Sequence, residues 1–131
     1  MASPEEDLMT RTFTPERVAK FQRLLEAERN EAAARLAEHR EGIDEVRVAR
    51  SDATADDEHD PEGPTMTQEW SQRTAVLADA EAEVAEVDRA ITRLAEGGYG
   101  VCERCGKPIS VARLEARPTA TLCIDCARLI R

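Results

Sequence analysis

The chain has 131 residues, a net charge of −9 at neutral pH and only 3% aromatic residues. This length corresponds to one domain or two very small ones, and the scarcity of large rings favours a helix-rich chain over a compact globular core. No segment approaches the roughly 18 apolar residues of a membrane span. The acidic N-terminus lacks the apolar stretch of a signal peptide. We therefore expect a cytoplasmic protein that does not associate with a membrane. The composition of residues 1–12 indicates that they are disordered.

The first predicted helix covers residues 13–50. Thr14 can cap its start, and Pro15 suits the first helical position. Gly42 weakens the helix by about 1 kcal/mol relative to Ala. Apolar residues recur at spacings of mostly three and four, at Val18, Phe21, Leu25, Ala32, Leu36, Ile43 and Val46.

The second predicted helix covers residues 65–96 and ends at Gly97 and Gly98. Each helix has a narrow apolar stripe that must be buried on a partner. Because two helices of similar length flank one breaker, we expect an antiparallel coiled-coil hairpin within a monomer, and a homo-oligomeric coiled coil is the alternative. The apolar stripe of the second helix contains Trp70, Leu77, Ala80, Val84, Val87, Ile91 and Leu94.

Residues 51–64 form an acidic segment that we expect to be a loop at the tip of this hairpin. Pro61 and the pair Gly63-Pro64 are turn signals. The segment is either a solvated loop held open by repulsion or an acidic probe aimed at a basic or metal-containing site on a partner. A calcium-binding loop starting at Asp56 is excluded, because it would need glycine where Pro61 stands. The carboxylates are Asp52, Asp56, Asp57, Glu58, Asp60 and Glu62, without one basic residue among them.

Four cysteines are spaced C-x2-C-x17-C-x2-C, at Cys102, Cys105, Cys123 and Cys126. Each C-x2-C turn can point two thiolates at one ion, and tetrahedral Zn²⁺ takes two such turns. All four positions would be thiolates, so no position is left for catalysis and we predict one structural zinc ion and no enzyme. A redox dithiol would need a βαβ context, which is missing. A rubredoxin-type iron site uses the same ligands and stays open.

The cysteine-containing segment 97–131 is predicted to be a separate zinc-finger domain. It is shorter than the roughly 40 residues that fold unaided, so the metal must supply stability. Six basic and three acidic residues give it a charge of +3. Four thiolates with Zn²⁺ add a net charge of −2, and the remaining net charge of the segment, about +1, is too small to favour DNA binding. We therefore expect no sequence-specific DNA binding.

Two stretches of this segment resemble the zinc finger of the DksA/TraR family. They are GYGVCERCG, residues 98–106, and LEARPTATLCIDC, residues 114–126. The resemblance implies an all-α protein: a long antiparallel coiled-coil hairpin followed by a small four-cysteine zinc finger and a short C-terminal helix. It also implies a bacterial transcription regulator that binds RNA polymerase and inserts the acidic tip of the hairpin into the secondary channel.

The resemblance extends to individual residues. Asp57 and Asp60 match the two aspartates of the family's Asp-x-x-Asp-x-Ala tip, and Glu62 replaces the alanine. These three residues are the expected polymerase-facing tip. Arg117 stands where alarmone-responsive members have an arginine, which makes it a candidate contact for the nucleotide ppGpp. Two lysines of those members are replaced by Glu86 and Ala127, so we expect little or no ppGpp response.

Two other functions remain alternatives. A zinc-stapled coiled-coil interaction module would pair with another protein and would not act on polymerase. A sequence-specific DNA binder is disfavoured by the charge balance.

Overall fold

The structure is a computed structural model that describes residues 13–56 and 63–130. It confirms the predicted fold class, since four helices account for most of the described chain and its one strand-like feature is a bridge between Val101 and Pro108. The residues expected to be disordered, 1–12, lie outside the described part. The helices are α1 (Pro15–Asp56), α2 (Gly63–Glu96), α3 (Val111–Ala116) and α4 (Ile124–Leu129).

Helix α1 begins as the sequence predicts. The hydroxyl of Thr14 accepts a hydrogen bond from the backbone N–H of Arg17 at 3.3 Å. The carbonyl of Thr14 accepts the first helical hydrogen bond, from Val18 at 2.9 Å. Thr14 therefore satisfies N–H groups that have no partner inside the helix.

The two long helices extend further into the acidic segment than predicted. Helix α1 continues to Asp56 and α2 begins at Gly63, so helical backbone replaces the expected loop over residues 51–56 and 63–64. Alanine favours helix in the first stretch, and Pro64 lies in the first turn of α2, where its missing N–H costs no hydrogen bond. Thr65, the first residue of the second predicted helix, therefore lies inside α2 and does not begin it.

The chain divides into two compact units. The described residues of the first unit are 13–29 and 86–130, and those of the second are 30–56 and 63–85. In the first unit the finger shares one core with the ends of both long helices. That core consists of Phe21, Leu25, Ala90, Tyr99, Cys102, Ile109, Leu114, Ala120 and Cys126.

In the second unit α1 and α2 pack antiparallel. Arg35 forms an ion pair with Glu83, and the guanidinium of Arg47 lies 5.9 Å from the ring centroid of Trp70. A later residue of α1 thus contacts an earlier residue of α2, as antiparallel packing requires. Ala32, Leu36, Ile43, Val46 and Ala80 are buried in this unit, as their places in the predicted stripes require.

Aromatic residues concentrate in the first unit. Phe13, Phe21 and Tyr99 contact one another with ring centroids 5.5 to 5.8 Å apart. The buried hydroxyl of Tyr99 donates a hydrogen bond to the carbonyl of Pro118 at 2.6 Å. This cluster joins the start of α1 to the finger, although the aromatic content of the whole chain is low.

Helix α2 ends in the glycine pair that the sequence indicates. Gly97 has a φ of +88°, and the N–H of Gly98 donates to the carbonyl of Arg93 at 2.9 Å. This arrangement is a Schellman motif, in which a left-handed glycine closes the last turn. None of the described helices is long and apolar enough to cross a bilayer.

Replacing Gly42 with alanine is expected to raise the free energy of unfolding by about 0.5–1 kcal/mol, because alanine lowers the backbone entropy cost of the helix. The nearest obstacle to the new methyl group is Nη1 of Arg73, 2.6 Å from the position of an added Cβ. That atom ends a flexible side chain and can move away. Urea unfolding of Gly42→Ala measures the change.

The matched control is Gly100→Ala, for which we expect a loss of about 2 kcal/mol or more. Gly100 has a φ of +86°, and an added Cβ would lie 2.4 Å from the ring of Phe13. The ring is fixed in the aromatic cluster and cannot move as Arg73 can. Equal effects of the two substitutions on the urea midpoint would contradict the different roles assigned to these glycines.

Candidate metal centre

The first cysteine pair lies on a tight turn. The N–H of Cys102 donates to the carbonyl of Lys107, and the N–H of Gly106 donates to the carbonyl of Cys102, both at 2.9 Å. Gly106 has a φ of +75°, a conformation that glycine adopts without strain. The turn therefore folds back on itself directly after Cys105, as a glycine at this position predicts.

The second cysteine pair lies at the start of α4. Cys123 is the N-cap residue, and its carbonyl accepts a hydrogen bond from the N–H of Ala127 at 2.9 Å. Cys126 follows three residues later in the first turn. Residues at this spacing lie on one face of a helix, so the two thiols point the same way.

Two hydrogen bonds position the segment that leads to the second cysteine pair, one from the first cysteine turn and one from α3. The N–H of Glu103 donates to the carbonyl of Thr121 at 2.8 Å. Nε of Arg113 donates to the carbonyl of Leu122, also at 2.8 Å. Arg113 is positioned by α3, whose N-cap Ser110 accepts a hydrogen bond from the Arg113 N–H at 3.2 Å. In the sequence Arg113 is only one basic residue among several, and no spacing signal marks its structural role.

The four sulfur atoms form one cluster in which all lie within 4.8 Å of one another. The sulfurs of Cys105 and Cys123 are 3.8 Å apart. Zn–S bonds of about 2.3 Å in a tetrahedron place sulfurs about 3.8 Å apart, so the cluster fits a structural zinc ion. Cys102 and Cys126 are buried, whereas Cys105 is exposed.

The protein shifts the pKa values of two of these thiols in opposite directions. Burial opposes ionisation of Cys102, but hydrogen bonds from the backbone N–H groups of Cys105, Cys123 and Arg104 outweigh it and lower the Cys102 pKa to about 6. Hydrogen bonding to Cys123 and burial raise the pKa of Cys126 to about 12. The raised pKa of Cys126 favours its neutral thiol, and a bound Zn²⁺ would supply the positive charge that stabilises its thiolate.

The remaining candidate residues are the three tip carboxylates and Arg117. Asp57, Asp60 and Glu62 lie outside the described residues. Arg117 follows α3, and its guanidinium is 3.8 Å from the carboxylate of Glu86. This pair is open to solvent, with Arg117 65% and Glu86 38% exposed.

Comparisons with known proteins agree with this architecture. The family model for the prokaryotic dksA/traR C4-type zinc finger matches residues 97–130. The RNA polymerase-binding transcription factor DksA of Escherichia coli (strain K12) is 30% identical over 112 residues, which are 86% of this chain and 70% of that protein. A protein of the same name from Caulobacter vibrioides is 50% identical over 42 residues, covering 32% of this chain and 30% of that protein.

A solved structure is also similar. Transcription factor DksA2 from Pseudomonas aeruginosa matches with a TM-score of 0.72 and 27% sequence identity, over 85% of this chain and 80% of that one. The matches to the Escherichia coli protein and to this structure span 86% and 85% of the chain, so they include the long helices as well as the finger. The chain therefore belongs to the DksA/TraR family.

Proposed function

We propose that this protein is a non-enzymatic regulator of bacterial transcription that binds RNA polymerase. The observation that carries the proposal is the 112-residue match to a protein named as an RNA polymerase-binding transcription factor. A match to the finger alone would support only a zinc module. The match over 86% of the chain includes the hairpin, which is the part proposed to engage the polymerase.

In this proposal the hairpin enters the secondary channel of the polymerase and its acidic tip modulates initiation. Asp57, Asp60 and Glu62 are the proposed acting residues. In the sequence they lie between the end of α1 at Asp56 and the start of α2 at Gly63. Carboxylates prefer hard cations, so a catalytic Mg²⁺ region is a chemically suitable target.

The zinc finger has a structural part in this proposal. Cys102, Cys105, Cys123 and Cys126 are the proposed ligands of one zinc ion. Two of them belong to the same buried core as Phe21 and Leu25 of α1. Zinc binding therefore stabilises the finger and the helix ends that share its core.

The ligand assignment predicts that Cys105→Ser loses its zinc. Cys105 is exposed, so serine at this position removes a ligand without disturbing the packed core. We expect less than one zinc per chain by elemental analysis and a lower melting temperature, because metal binding supplies folding free energy.

Arg104→Gln is the matched control, since it alters an exposed side chain on the same turn and leaves the backbone N–H in place. It should retain one zinc per chain. Full zinc occupancy in Cys105→Ser would remove this residue from the ligand set.

The tip assignment predicts that Asp57→Asn combined with Asp60→Asn abolishes the effect on transcription. The change removes two charges and conserves side-chain size, so zinc content and helicity should stay unchanged. Transcript yield from promoters that respond to the unmodified protein is the readout. The control is Glu38→Gln with Glu41→Gln, which removes two exposed charges from α1 away from the tip. A double tip variant with full effect on yield would show that these aspartates do not act.

The Arg117 assignment predicts little or no response to ppGpp. Glu86 places a carboxylate 3.8 Å from the guanidinium of Arg117, where an anionic nucleotide would have to displace it. Ala127 provides no cation. The combination of Glu86→Lys and Ala127→Lys should therefore increase ppGpp binding by the protein–polymerase complex over that of polymerase alone. A large ppGpp increment with the unmodified protein would contradict the prediction.

Binding to core RNA polymerase, competed by a known secondary-channel factor, tests the proposal as a whole. Competed binding by the zinc-loaded protein supports it. Absence of binding, with zinc content and helicity intact, would instead favour an interaction module that acts on another protein.

A further inference from the structure

A cleft in the first unit contains an arginine without a hydrogen-bond acceptor. Its volume is about 410 Å³, and it is lined by Asp88, Arg89, Thr92, Arg93 and Glu103. Nη2 of Arg93 is buried and has no partner among the described residues. Burying an unpaired donor of a cation is costly, so an acceptor from outside this part of the chain would stabilise it.

Arg93 is held in place by the end of its own helix. Its carbonyl accepts the hydrogen bond from Gly98 that closes α2. Arg89 lies one helical turn earlier and lines the same cleft. Two guanidinium groups thus face one cleft from a fixed backbone, and neither forms an ion pair with a described residue.

The other lining groups are partly occupied. The carboxylate of Asp88 accepts a hydrogen bond from Arg29 at 2.6 Å, and the hydroxyl of Thr92 donates to the Asp88 carbonyl at 3.1 Å. Glu103 forms no ion pair with a described residue and adds one negative charge beside the two arginines. The balance favours a ligand with a single negative charge, since a dianion would be repelled by Glu103 and Asp88.

Nearby charges do not replace the missing acceptor. Burial raises the pKa of Tyr99 above its usual range, and the charge of Arg93 opposes this whereas that of Glu28 adds to it. Both charges therefore lie near the Tyr99 ring. No ion pair joins Glu28 to Arg93 within the described chain, so Nη2 still lacks an acceptor.

We propose that this cleft binds a carboxylate group through Arg93, with Arg89 as the second cation. A planar carboxylate matches the two parallel N–H donors of a guanidinium. The site uses no residue of the zinc cluster and none of the three tip carboxylates, so it is distinct from both proposed functional sites. The carboxylate can come from a small free acid or from an acidic side chain of another protein.

Titration of the zinc-loaded, isotope-labelled full chain tests the site by NMR. Sodium acetate replaces sodium chloride at constant ionic strength, and the Nε–H signal of Arg93 and the amide signals of Thr92 and Glu103 are followed. We expect saturable shifts that vanish in Arg93→Gln and persist in Arg40→Gln, which removes an exposed charge in the other unit. Shifts that never saturate, or that survive in Arg93→Gln, would overturn the proposal.

A second variant keeps the test decisive if Arg93→Gln fails to fold. Glu103→Gln removes the competing carboxylate, so acetate should bind about two- to fivefold more tightly. Unchanged or weaker binding would count against the site. Glutamate with acetylated amino and amidated α-carboxyl groups, which mimics a glutamate side chain in a protein, is compared with acetate under the same conditions. Inorganic phosphate is compared in the same way. Tighter binding of the blocked glutamate identifies a side chain as the ligand, equal binding identifies a small free acid, and tighter binding of phosphate would overturn the carboxylate assignment.

Discussion

The architecture depends on one constraint: the finger is too small to bury a core of its own. Its solution is to share a core with the two long helices. Cys102 and Cys126 are buried in one cluster with Phe21 and Leu25 of α1 and Ala90 of α2. A metal bound by these cysteines therefore stabilises the helix ends as well as the finger, and the free energy of metal binding contributes to more than the loops that carry the ligands.

The elements that could be predicted from the sequence are those controlled by local chemistry. The Thr14 cap, the glycine terminus at Gly97 and the two cysteine turns each depend on residues within one turn of one another, so spacing and residue type suffice. The ends of the acidic segment were harder to predict, because its charge and prolines suggest a loop. Its alanines nevertheless allow α1 to continue to Asp56, and the first turn of a helix tolerates proline, so α2 can begin at Gly63.

Features formed by residues far apart in the chain could not be predicted. The scarcity of aromatic residues argued against a compact core, yet Phe13, Phe21 and Tyr99 meet in one cluster. Tyr99 is too far from Phe13 and Phe21 in the sequence for periodicity to reveal its contacts with them. Arg113 is similar, because its hydrogen bond to the Leu122 carbonyl supports the second cysteine pair only after α3 has formed.

Three ion pairs in the first unit join residues that lie far apart in the sequence. Lys20 pairs with Glu115 at 2.7 Å, Arg29 pairs with Asp88 at 2.6 Å, and Arg117 lies 3.8 Å from Glu86. Such exposed pairs contribute little stability, so their main effect is to neutralise surface charge. The carboxylate of Glu86 offsets part of the positive charge that an anion would meet at Arg117. Arg93 forms no ion pair with a described residue, and its buried Nη2 has no acceptor among them, so its chemistry calls for an external acceptor.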